Sequence, residues 1–99
     1  MNAVKLRTGF ALATAVFSLL TWAGLTFDWR GAAASMAVVG LLLAPLGWII
    51  LSFIAKSSPA IKWTNVALAA VTIFGFFAGG LFHLLLAIAI AVLFFLKRI

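Results

Sequence analysis

Apolar positions in this chain come in long unbroken blocks, and the polar residues gather in the short breaks between them. The first block is GFALATAVFSLLTWAGLTF, Gly9 to Phe27, closed by Asp28, Trp29 and Arg30. At about 1.5 Å per helical residue it reaches roughly 28 Å, close to the hydrocarbon core of a bilayer at about 30 Å. The second block, Gly31 to Ala55, ends at KSSPAIK, where two serines, a proline and two lysines mark a connection. The last block, Thr64 to Leu96, holds no charge. As one helix it would span roughly 50 Å, more than tilt accommodates. Ala78-Gly79-Gly80 offers the break, because glycine tolerates the backbone angles of a tight turn. The pattern predicts an all-α integral membrane protein with four short transmembrane helices, over about 9–27, 31–55, 62–78 and 81–97. They form one domain, residues 1–99, a compact bundle in which the third and fourth helices are a tight antiparallel hairpin.

Composition agrees. Hydrophobic residues make up 68% of the chain and charged residues 8%, with a mean hydropathy of +1.36. Typical soluble proteins carry about 25% charged residues. The net charge of +6 forms no basic stripe with interleaved aromatics, so nucleic acid is not an expected partner. With four crossings, Lys5, Arg7, Lys56, Lys62, Lys97 and Arg98 share one side, and Arg30 with Asp28 lies on the other. That bias places both termini in the cytoplasm. Three crossings would move Lys97 and Arg98 outside and weaken it. Residues 1–23 also resemble a cleaved signal, with a basic start, an apolar run and Ala23 at the cut, although the apolar run continues to Phe27.

Small residues at four-residue spacing allow helices to approach closely in lipid. Gly40 and Ala44, Gly75 and Gly79, and Ala87 and Ala91 are such pairs, with Gly80 beside the turn. Pro45 interrupts the hydrogen bonding of the second helix. Trp29 with Arg30, Lys62 with Trp63, and the terminal Lys97 and Arg98 are expected membrane-interface anchors.

Chemistry has few places to reside. Cysteine is absent, and Asp28 and His83 are the titratable groups nearest neutrality, both expected at the outer interface. They are the candidate cofactor-binding residues; no catalytic residue, metal ligand or cofactor is expected, and lipid or quinone are the ligands left open. Small multidrug exporters match the chain in size but need an acid in the first helix, which Gly9–Phe27 lacks. Small fluoride channels need a Ser/Thr and Asn lining that FGFFAGGLFH does not supply.

Gly79, Gly80, His83, Leu85, Leu86, Ile88 and Ala89 form a Gly-Gly-x-x-His-x-Leu-Leu-x-Ile-Ala pattern. Over residues 64–98 the chain resembles a family of very short, uncharacterised bacterial two-helix membrane proteins whose second helix begins this way. The resemblance implies a helical hairpin and a bacterial inner membrane, and brings no activity with it. The expected function is a non-catalytic accessory or scaffolding subunit of a larger membrane complex. Its partners would be the lipid bilayer and other transmembrane subunits or copies of itself, with no soluble substrate. The alternatives are a self-assembling holin-like or channel-forming protein and a membrane immunity protein.

Overall fold

A computed structural model describes residues 3–28, 30–56, 58–75 and 80–96. Its elements are four α-helices: α1 (Ala3–Thr26), α2 (Ala32–Ile54), α3 (Pro59–Phe74) and α4 (Gly80–Phe95). α1 and α2 are long and apolar enough to cross a membrane; α3 and α4 are shorter apolar helices.

The boundaries follow local chemistry. α1 begins well before the expected Gly9, so Lys5 and Arg7 are helical rather than flanking. Part of KSSPAIK is also helix. Ser58 is the N-cap of α3, its hydroxyl accepting from the Ile61 amide at 3.4 Å, and Pro59 takes a first-turn position. Proline fits there because its missing N–H would have had no helical acceptor and its φ is already helical. The capping bond is long, so Ser58→Ala is expected to cost about 0.5 kcal/mol, the low end for a lost N-cap. Thermal unfolding followed by circular dichroism checks it.

Between α1 and α2 the chain reverses through Asp28 at φ 57° and Gly31 at φ 74°. An aspartate tolerates this left-handed conformation better than most side chains, since its carboxylate can bond locally. It does so here, accepting from Arg30 Nη2 at 3.1 Å.

The helices run up, down, up, down, and their neighbours are set by a few contacts. The Phe10 ring of α1 lies over Gly47 of α2, and Phe17 over Gly40. Trp48 of α2 bonds to Asn65 of α3. Ala11, Trp48, Ala69, Leu86 and Ile90, drawn from all four helices, make one central cluster. α1 packs closely on both α2 and α4, and α2 on α3, whereas α3 and α4 barely touch. This corrects the expected tight hairpin. A Gly-Gly break fixes where the chain turns, but the bulk of Trp48, Leu86 and Ile90 occupies the centre and holds α3 and α4 apart. Their described contact is at one end, where the Phe82 ring lies over Gly75.

Length sets the outline. α1 and α2 have 24 and 23 residues, α3 and α4 16 each. That is roughly 35 Å against roughly 24 Å. The molecule is 40 × 23 × 21 Å, and the longer pair projects beyond the shorter at the end bearing Asp28.

Candidate functional site

The polar groups that could do something lie inside the bundle. Arg7, Thr14, Ser18, Ser52, Asn65, Thr72 and His83 are all buried. On α1, Arg7, Ala11, Thr14 and Ser18 recur at spacings of four, three and four, which places them on one helix face. Asn65, Ala69 and Thr72 do the same on α3.

Two polar layers result, separated by the apolar cluster. At the end bearing Lys56, Trp48 Nε1 donates to Asn65 Oδ1 at 2.7 Å, and Asn65 Nδ2 donates to the Ile61 carbonyl at 2.7 Å. Ser52 Oγ donates to the Trp48 carbonyl at 2.8 Å. Arg7 completes this layer at 3% exposure.

Nearer the Asp28 end lie Ser18, Thr72 and His83. Seven residues carry an antiparallel pair of helices two turns along the same face. Counting seven from the Ala11 and Ile90 members of the central cluster reaches Ser18 on α1 and His83 on α4, so these share a level across the seam. Thr14 and Thr72 donate to the carbonyls four residues back, of Phe10 at 2.8 Å and Leu68 at 2.9 Å. Ser18 Oγ has no hydrogen-bond partner among the described residues.

His83 is buried inside the bundle, 1% exposed, with its ring edge-on to Phe82 at 6.0 Å between centroids. Asp28 does lie at the surface, 77% exposed, paired with Arg30, itself 84% exposed. Asp28 is thus exposed at the turn and His83 enclosed by the helices, and among the described residues the Asp28 bond to Arg30 does not bring the two together. Among the described residues no three His, Cys, Asp or Glu side chains gather into a metal-binding group.

The small residues singled out for packing are distributed unevenly. Gly40 and Gly75 each lie beneath a phenylalanine ring. Ala44 and Ala87 are buried and Ala91 is half-buried. Gly80 opens α4, and Gly79 lies outside the described residues. Of the anchors, Trp29, Lys97 and Arg98 also lie outside the described residues. Lys62 places Nζ 4.9 Å from the Phe53 ring centre and 5.3 Å from that of Trp63, and those rings meet edge to face at 6.1 Å. This is an aromatic-and-cation cluster at the start of α3.

Where α1 and α2 project, Leu20, Thr21, Gly24 and Leu25 face Ala34, Ala37 and Val38 across a small groove of about 80 Å³. Its lining is apolar, and the Thr21 hydroxyl is already spent on the Phe17 carbonyl at 2.8 Å.

Arg7 and the Trp48–Asn65 pair are what the residue pattern did not bring forward. For Arg7 the signal was its register with Ala11, Thr14 and Ser18; for the pair there was none, because no sequence spacing relates α2 to α3. Comparison with known proteins finds no family model that matches the chain, and neither a curated protein nor a solved structure that resembles it significantly.

Proposed function

We propose that this chain is a small integral membrane subunit, a four-helix bundle seated in the bacterial inner membrane with both termini cytoplasmic. It performs no chemistry of its own and serves as an accessory or scaffolding component of a larger membrane complex. The observation that carries the reading is an inverted distribution of side chains. The interior holds an arginine, an asparagine and a histidine, while the outside presents Val16, Leu19, Leu43, Ile50, Phe74, Leu85, Ile88 and Val92. Monomeric soluble proteins seldom expose contiguous apolar patches beyond a few hundred Å², and here all four helices expose them.

Dimensions support it. The 40 Å long axis suits a bilayer of about 40–45 Å with its headgroups. The exposed ion pair of Asp28 and Arg30 lies at one end, and Lys56 and the Lys62 cluster at the other. α3 and α4, at roughly 24 Å, fall short of a hydrocarbon core of about 30 Å, a mismatch met by local thinning or by packing against other protein. The groove between α1 and α2 suits an apolar helix of a larger subunit, since Gly24, Ala34 and Ala37 allow close backbone approach.

Purification of the tagged protein from its native membrane in mild detergent, with mass spectrometry of its companions, tests this. A stoichiometric set of larger membrane subunits is the expected result. The chain alone as a discrete oligomer would replace this reading with a self-assembling channel or lesion former, to be followed by conductance in a planar bilayer. Release from membranes by alkaline carbonate would remove the membrane assignment itself.

A further inference from the structure

We propose that Lys62, held between Phe53 and Trp63, binds the headgroup phosphate of an anionic phospholipid, with Lys56 as the second cation of a site that rests on the membrane reading above. Phe53 lies in the last turn of α2, and Lys62 and Trp63 near the start of α3. Lys62 Nζ stands 4.9 Å from the Phe53 ring centre and 5.3 Å from that of Trp63. The rings attract the ammonium and meet each other edge to face, so a flexible four-carbon stem presents its charge at a defined place. An ammonium carries three N–H donors. Among the described residues, the Lys62 ammonium makes no hydrogen bond or ion pair. No acidic side chain of this protein can serve it, because Asp28 is the single one and pairs with Arg30 at the other end of the molecule. Lys56 is exposed and follows Phe53 by three residues, and exposed Lys5 lies at the same end on α1. Phe53 and Trp63 are themselves exposed, which sets an apolar shoulder beside a fixed cation. A phospholipid matches both parts, acyl carbon against the rings and phosphate on the ammonium. A soluble phosphate would match only the second.

The test places the full chain in nanodiscs of mixed phosphatidylglycerol and phosphatidylcholine and counts, by native mass spectrometry, the lipids that stay bound on release. Retention of phosphatidylglycerol over phosphatidylcholine is the expected result. Lys62→Gln should lower phosphatidylglycerol retention about fivefold, and Lys62→Arg should keep most of it. Phe53→Leu with Trp63→Leu preserves the charge but releases the ammonium, and should lower retention about twofold or more. Lys5→Gln removes an exposed lysine at the same end and should change retention much less. Equal losses from Lys62→Gln and Lys5→Gln, in variants that circular dichroism shows to be folded, would overturn the proposal, since the attraction would then belong to the whole end. Equal retention of the two lipids, or displacement of the lipid by inorganic phosphate, would overturn it too. Failure of the protein to enter the discs would remove the membrane reading itself, whereas entry without lipid preference removes only this site.

Discussion

Trp48→Ala should destabilise the bundle by about 3 to 5 kcal/mol, the largest effect expected of any single truncation here. The indole is fully buried at the meeting point of all four helices. Its removal leaves a void lined by Ala11, Ala69, Leu86 and Ile90, each of which loses dispersion partners. For a bundle seated in lipid, as proposed, the transfer part of the loss shrinks, because the unfolded reference is also apolar. A polar loss compensates. Asn65 Oδ1 would keep no indole donor at 2.7 Å, and a buried group stripped of its partner costs about 1–3 kcal/mol. Trp48→Phe separates the two contributions, retaining most of the volume while deleting the N–H. It should cost about 1–3 kcal/mol, and adding Asn65→Leu should return part of that. Unfolding in mixed detergent micelles, followed by far-ultraviolet circular dichroism, reads all three. A Trp48→Phe protein as stable as the parent would mean that the buried bond contributes nothing.

Gly40→Ala comes next, with an expected loss of about 1–3 kcal/mol. A Cβ at Gly40 would overlap the Phe17 ring, and one at Gly47 would come within 2.5 Å of Phe10 Cε1. Seven residues separate the rings on α1 and seven separate the glycines on α2, so the two contacts form one repeating interlock on either side of Pro45. Shortening the ring should relieve the clash: Phe17→Leu in the Gly40→Ala background is expected to recover at least half of the loss. Gly9→Ala is the control. Its Cβ would meet nothing within 4 Å, and alanine favours a helix over glycine by up to about 1 kcal/mol. The same detergent unfolding series measures it, and equal losses at Gly9 and Gly40 would show that helix packing is not involved.

The apolar blocks made α1 and α2 legible because each is bounded by charge on at least one side. The start of α3 was harder. Ser58-Pro59 reads as a loop to anyone weighing proline as a breaker, yet serine then proline is also how a helix begins. Arg7 lay in the open among basic residues preceding an apolar run, and position alone makes such residues look like flanks. Only the continuation of α1 to Ala3 turns its side chain inward. The connection between α3 and α4 was visible in Gly79-Gly80, but their separation was not, since it depends on the volume that α2 places between them. Asp28 behaved as a turn residue with a cation two positions away. His83 carried a recognisable pattern and no indication of depth, because an apolar helix gives no contrast between its faces.

That α4 settles against α1 joins a helix made early to one made well after it. Residues emerge from a ribosome at about 5–20 per second, so α1 waits roughly 3 to 14 seconds between its own completion at Thr26 and that of α4 at Phe95. Throughout that interval the face with Arg7, Thr14 and Ser18 has no α4 to cover it. A chain stalled before α4 thus displays a positive charge and two hydroxyls that the packed bundle buries, a difference that cellular quality control can read.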